Sequence, residues 1–416
     1  MATERHDGLI RHSLLLLLAM QVGGACTALF LLVMGRALSP EQYGVLASMI
    51  GLIFVAAIPM DAIRAAFAHF VARLSSAGQA GDARALVRSW MAGITRLSLP
   101  LAVVAILFSG PLARFFLLEG RAPIVVVLLI LSVSPYVPVL TGSLQGLQAF
   151  GWMAVHQHSW TAFRFLIGGA LVLWVSPLAV WGLVGHLLAA FVSIGFGFIG
   201  LSRSASRAPV SGRPLPVLRP YFLRSLVVLA GFGVLMNADI ILVKHFFPPH
   251  DAGLFARAAT IGRAVIFLPL PIALAMFPKV ASRGPVSAES RRLLFKALRL
   301  AGGIVLGGNL LCTAFPQVPL WILFGDRLPD AGMTRLVRAI LWAISPLSLA
   351  YLMMSFDLAR HRFRRALVTV PCAAAYVGAV WCWHASLLQV VAILAAASLG
   401  ATILIGAGMP WKRAGG

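Results

Sequence analysis

Long stretches of this chain carry no charged residue at all, among them Ser13 to Gly35, Ala122 to Phe163, Phe165 to Ser202 and Ala366 to Trp411. A helix needs about 20 apolar residues to cross the hydrocarbon core of a bilayer, so the longer stretches hold two crossings each. Strands of a membrane barrel would alternate apolar and polar positions over about 10 residues, not run solidly apolar. Backbone groups in lipid must be bonded within their own element, which leaves an all-α polytopic membrane protein. Composition agrees, because 60% of the 416 residues are hydrophobic and only 11% are charged, too few charges to cover a water-soluble surface.

Punctuation by charge, Pro and Gly divides the apolar sequence into about twelve spans. They lie near 13–35, 43–62, 93–113, 123–147, 156–175, 178–201, 224–243, 254–278, 297–318, 337–357, 366–384 and 386–409. The first is too long for a signal-peptide core and reads as a retained span. The net charge of +22 would by itself suggest nucleic acid, but its distribution does not. Arg73, Arg84 and Arg88 follow span two; Arg203, Arg207, Arg213 and Arg219 follow span six; Lys279, Arg283, Arg291, Arg292 and Lys296 follow span eight; Arg360, Arg362, Arg364 and Arg365 follow span ten. With an even span count these all share one side with Arg5, Arg11, Lys412 and Arg413. The positive-inside rule makes that side the cytoplasm, with both termini in it. No nucleic-acid partner is needed.

The Ser/Arg/Pro-rich segment 202–223 reads as a cytoplasmic basic linker between a six-helix lobe, 1–201, and a second, 224–416. Landmarks recur between the halves. Pro40-Glu-Gln-Tyr-Gly44 matches Pro249-His-Asp-Ala-Gly253, Phe116–Arg121 matches Ile322–Arg327, and Ser134-Pro135 matches Ser345-Pro346, at offsets of 209, 206 and 211. Three matches in register with half the chain point to internal duplication. Six spans per half give both halves one orientation, related by a pseudo-two-fold axis along the membrane normal, with a substrate chamber expected between them.

Gly35-Arg-Ala-Leu-Ser-Pro-Glu-Gln-Tyr-Gly44, followed by an apolar helix leading to Asp61 and Arg64, resembles the start of oligosaccharide flippases of the Wzx or polysaccharide-transporter type. Asn237–Lys244, Gly253–Arg257 and Ala275–Pro278 have the corresponding look in the second half, with Ala252 standing where relatives often carry Tyr. That family belongs to the multidrug/oligosaccharidyl-lipid/polysaccharide (MOP) exporter superfamily, which also holds MATE exporters and the lipid II flippase. The resemblance implies movement of a polyprenyl-pyrophosphate-linked oligosaccharide, an O-antigen, capsule or exopolysaccharide unit, from the inner to the outer leaflet of a bacterial inner membrane. It further implies a cationic chamber, membrane lipids around the protein, and a polysaccharide polymerase or glycosyltransferases as working partners.

A charge within a span costs about 2.5 to 3.5 kcal/mol, so each one needs a reason. Arg263 lies ten residues beyond Gly253, about 15 Å into the bilayer, and reads as a chamber cation for pyrophosphate or as a headgroup-level residue of a later-starting span. Arg257, Arg164 and Arg36 join it as substrate-binding candidates, with snorkelling or carbonyl pairing as the structural alternatives. Asp61 and Arg64, spaced i, i+3, share a face and read as an interfacial pair or an inner gate. Asn237 and Asp239 are candidates for ion coupling, with Lys244 as a structural partner for the acid. Asp357, beside Arg360 and Arg362, reads as an interfacial pair.

His156, His158 and His186 have no Cys or carboxylate companions at ligand spacing, and no metal site or cofactor is expected. Cys26, Cys312, Cys372 and Cys382 read as small apolar residues. Short loops argue against covalent chemistry, so no catalytic residue is assigned. The alternatives are a cation-coupled multidrug exporter, which would favour acidic and aromatic chamber residues, and a membrane enzyme or scaffold of polysaccharide assembly.

Overall fold

A computed structural model describes residues 2–205, 209, 219–269, 288–326, 328–359, 362–407 and 409. Most of the expected basic linker lies outside these residues, as do Ala275–Pro278 and the side chains of Arg5, Arg11, Arg207, Arg213, Lys279, Arg283, Arg291, Arg327, Arg360, Lys412 and Arg413. Among the described residues every regular element is a helix. Ten helices are long and apolar enough to cross a membrane. Two further helices, Phe150–Trp174 and Pro249–Phe267, fall outside that ten and carry Arg164 and the pair Arg257 and Arg263. Long apolar side chains such as Leu97, Leu99, Leu101 and Leu107 stand exposed along one helix, as expected of a wall facing lipid rather than water.

The first half runs α1 (Ala2–Ala37), α2 (Pro40–Ser76), α3 (Ala80–Leu107), α4 (Ser109–Phe115), α5 (Ala122–Val133), α6 (Tyr136–Gly146), α7 (Phe150–Trp174) and α8 (Ala179–Ser204). The second runs α9 (Arg219–Phe246), α10 (Pro249–Phe267), α11 (Ala288–Ala314), α12 (Gln317–Phe324), α13 (Ala331–Ile344), α14 (Pro346–Ala359), α15 (Phe363–Ala366), α16 (Thr369–Cys382) and α17 (Leu387–Ala407). Both α2 and α10 start on a proline, where its missing N–H is harmless and its fixed φ suits the first turn. Ser39 caps α2 by accepting from Gln42 N at 3.3 Å.

Helices overrun the sequence-derived spans. Span two was expected to end at 62 and span three to begin at 93, yet α2 continues to Ser76 and α3 begins at Ala80. Arg73, Arg84 and Arg88 therefore ride on helices, not a loop. A charge ends an apolar run without ending the hydrogen-bond ladder; here the ladder stops at a tight turn in which Gly78 adopts φ +74°. A Cβ at that φ is strained by about 1 to 2 kcal/mol, and thermal unfolding in detergent is expected to show Gly78→Ala destabilised by about that much.

The repeated Ser-Pro pair marks the same device in both halves. One apolar span is broken between α5 and α6 at Ser134-Pro135, another between α13 and α14 at Ser345-Pro346. Proline cannot donate to the carbonyl four residues back, and the preceding serine turns its hydroxyl onto its own i−4 carbonyl: Ser134 to Ile130 O at 2.7 Å and Ser345 to Leu341 O at 2.5 Å. At the second break Thr402 donates to Pro346 O at 2.9 Å, and Ser398 donates to Ala343 O. Polar side chains thus bond carbonyls around each break, as expected where irregular backbone is kept inside a span.

The chain forms two units, Met1–Gln42 with Met60–Phe222, and Tyr43–Pro59 with Leu223–Gly416. Sequence order would place 43–59 in the first lobe; its packing places it in the second unit. Close approach of small residues explains this: a Cβ on Gly44 would lie 3.0 Å from Gly253 Cα, and one on Gly51 would lie 3.7 Å from Asn237 O. Tyr43 adds a 3.0 Å hydroxyl contact with Thr260 and an edge-on contact with Phe324. The change of unit falls at Pro59, which leaves Val55 O without its helical donor, and that carbonyl lies against Gly233. Within the first unit, Phe67, Val71, Leu86, Val139 and Leu140 form a buried cluster joining the latter half of α2 to α3 and α6.

Candidate functional site

The second unit buries a charge pair. Asp239, fully buried on α9, accepts from Arg263 Nη2 on α10 at 2.5 Å. Arg263 also donates through Nη2 and Nε to Met236 O at 2.8 and 3.2 Å. The short connection between α9 and α10 folds them back as a hairpin, so residues before and after it can meet. Asp239 Oδ2 and Arg263 Nη1 are buried and have no hydrogen-bond partner among the described residues. Tyr376, fully buried on α16, stands close enough to feel both charges. Sequence reading named both members separately and missed the pair. A signal was available in two opposite charges flanking one short turn between spans.

The first unit buries a cation of a different kind. Arg164 on α7 is 3% exposed, and its guanidinium lies 4.5 Å from the Phe30 ring centroid and 5.0 Å from that of Trp160. Arg164 Nη2 donates to Thr27 Oγ1 at 3.4 Å, while Thr27 donates to Gly23 O. Arg164 Nε is buried with no hydrogen-bond partner, and no carboxylate pairs with this residue among the described residues. His186 packs edge-on against Trp160 at 4.8 Å, adding an imidazole to the same wall. Aromatic faces offset part of the cost of taking a cation out of water, about 0.5 to 2 kcal/mol each, but they supply no negative charge.

The other candidates are held in place locally. Asp61 accepts from Arg64 Nε at 2.8 Å, and Arg64 Nη1 reaches Gln145 Oε1 at 3.0 Å, tying α2 to α6. Both charged side chains are partly exposed, where such a pair contributes about 0 to 1 kcal/mol. Gly142 lets this crossing close, because a Cβ there would lie 2.3 Å from Arg64 O. Asn237 turns back to donate to Gly233 O at 3.1 Å. Arg257 lies over Phe324 at 5.1 Å, and Arg36 is exposed in the last turn of α1, where a cation suits the helix dipole. Lys244 and Asp357 are both buried. His156 has a structural place, with Nδ1 2.7 Å from Ser193 O and Ser193 Oγ donating to His156 O at 2.7 Å.

These observations define a class: a multi-pass membrane protein, helical throughout its described residues, of two units, one holding a buried arginine without an acid and the other an arginine paired with a buried acid. No protein-family model matches the chain, and no curated protein matches it in sequence. Solved structures match it throughout. A multidrug resistance MATE family transporter of the MOP superfamily, in an inward-facing conformation, aligns with TM-score 0.70 at 13% identity over 94% of this chain and 93% of that one. The lipid II flippase MurJ, in an inward closed conformation, aligns with TM-score 0.70 at 10% identity over 95% and 86%. A MOP superfamily transporter from Pyrococcus furiosus, described by a binding pocket of reverse polarity, aligns with TM-score 0.69 at 14% identity over 96% and 94%. The chain thus has the fold of MOP superfamily transporters.

Proposed function

We propose that this chain is a flippase. Its cargo is an oligosaccharide linked to polyprenyl pyrophosphate, an O-antigen, capsule or exopolysaccharide unit, carried between leaflets of a bacterial inner membrane by alternating access. The fold is shared by MATE exporters and by a lipid II flippase, so it does not choose between cationic and anionic cargo. Charge does. The observation that carries the reading is Arg164, buried against Phe30 and Trp160 with no carboxylate partner among the described residues. A guanidinium in that setting gains most from phosphoryl oxygens, to which its planar fork can donate bidentately.

In this reading Arg164 holds the pyrophosphate, Arg257 and Arg36 supply further positive potential, Arg263, expected from sequence to bind the cargo, is instead held by Asp239, and Asp61 with Arg64 forms an inner gate. Asn237 and Asp239 serve ion coupling. The chain makes and breaks no covalent bond, and the enzymes that build and polymerise the sugar supply and consume its cargo.

The test is transport of a fluorescent prenyl-pyrophosphate glycan across proteoliposomes, run beside efflux of a cationic dye. Arg164→Gln is expected to slow glycan transport at least tenfold, with Arg164→Lys intermediate because it keeps the charge and loses the fork. Unchanged glycan transport in the Gln variant, or dye efflux in the wild type without glycan transport, overturns the proposal.

A further inference from the structure

The first unit has a second basic feature, away from Arg164. A cavity of about 320 Å³ opens between the second to fourth turns of α3 and the last two turns of α8. Arg84 and Arg88 line it from α3, Ser202 from α8, and Met91, Phe198 and Leu201 complete an apolar wall. The two arginines are exposed, and neither has a hydrogen bond or an acidic partner among the described residues. Asp82, two residues before Arg84, is buried and does not line the cavity. Arg203 is turned away onto the Trp152 ring at 5.2 Å.

Spacing i, i+4 sets two like charges on one helix face, which is unfavourable unless an anion bridges them. Nine residues separate Arg88 from the lipid-exposed Leu97, about 13 Å along the helix. Exposed Arg96 stands between them and Leu97, so the two arginines lie on the charged end of α3 beyond its apolar part, and the apolar wall of the crevice runs from them toward that part. A soluble phosphate would use the charges and leave Phe198 and Leu201 without purpose. A phospholipid uses both parts.

We propose that this crevice is a binding site for an anionic phospholipid, with the phosphodiester held by Arg84 and Arg88 and an acyl chain laid against Phe198 and Leu201. Basic pockets between membrane helices on the cytoplasmic side take lipid headgroups in this manner, and the positive-inside bias places these arginines on that side. The site does not depend on what the protein transports.

Native mass spectrometry of the full-length protein in a nonionic detergent tests it, with phosphatidylglycerol, phosphatidylcholine and inorganic phosphate as probes. Phosphatidylglycerol is expected to bind at least tenfold more tightly than phosphatidylcholine. Arg84→Gln with Arg88→Gln is expected to remove that preference, and Arg84→Lys with Arg88→Lys to retain most of it. The single change Arg88→Gln, at an exposed position that the fold tolerates, is expected to weaken phosphatidylglycerol several-fold. Equal binding of the two lipids, unaltered binding in Arg88→Gln, or displacement of phosphatidylglycerol by millimolar inorganic phosphate overturns the proposal.

Discussion

Asp239→Ala is expected to lower stability by about 3 to 5 kcal/mol, because it strands Arg263 as a buried charge with only the Met236 carbonyl to bond. Thermal unfolding of the purified protein in detergent reads this directly. Arg263→Met alone should cost a similar amount by stranding a fully buried carboxylate. The double change Asp239→Leu with Arg263→Met removes both charges together, and replacing a buried pair with apolar side chains of similar size is often close to neutral. It should therefore recover most of the loss, giving a large coupling energy in the double-mutant cycle. Additive losses would mean that the two side chains do not depend on one another. The cycle also separates the roles proposed for these residues: a double variant that folds but fails to transport would place the pair in the transport cycle and not merely in the scaffold.

The second large effect is expected at Gly185. A Cβ there would fall 2.2 Å from Gly168 Cα and 2.4 Å from Gly168 N, which is backbone and cannot turn aside. In turn, a Cβ on Gly168 would meet Gly182 O at 3.4 Å and the Phe30 ring at 3.2 Å. Small residues thus let α7 and α8 pack backbone to backbone, the usual way that helices gain contact in lipid. Gly185→Ala must separate the two helices, at a cost of about 3 kcal/mol, and Gly185→Val should prevent recovery of folded protein. Gly195 in the same helix has open space around its Cα, so Gly195→Ala should be neutral or slightly stabilising, since alanine is the better helix former. Comparable losses at the two positions would show that helix propensity and not close packing governs α8. Because Arg164 precedes Gly168 by one turn and His186 follows Gly185, the Ala variant is also expected to disturb the wall around Arg164 and impair transport in whatever protein still folds.

Much of the fold is legible in the sequence, for a local reason. Whether 20 residues prefer hydrocarbon to water depends on those residues alone, so the spans can be read without knowing their neighbours. The Ser-Pro breaks are legible for the same reason, since a proline removes its own donor wherever it stands. What misleads is the reading of charge as punctuation: Arg73, Arg84 and Arg88 lie beyond the apolar run, but α2 and α3 carry on through them.

The candidate site is less legible. Arg164, Asp239 and Arg263 stand out in the sequence as charges where charges are costly. Their partners do not, because a partner depends on the rotation of one helix against another, and hydropathy carries no such information. Trp160 stands four residues before Arg164 on the same helix, so that contact is local, but Phe30 looks like an ordinary span residue until the close approach of α7 to α1 places it on Arg164.

The sequence by itself determined that the chain lives in a membrane as helices, that short landmarks such as Ser-Pro recur in its two halves, and that a few arginines carry a burden of burial, since these follow from local transfer free energies and chain-order pattern. Only the tertiary structure decided that Arg263 is neutralised by Asp239 while Arg164 has no acid, and that 43–59 packs in the unit of the second half. Coulomb energy falls with distance, and only the packing of helices sets those distances.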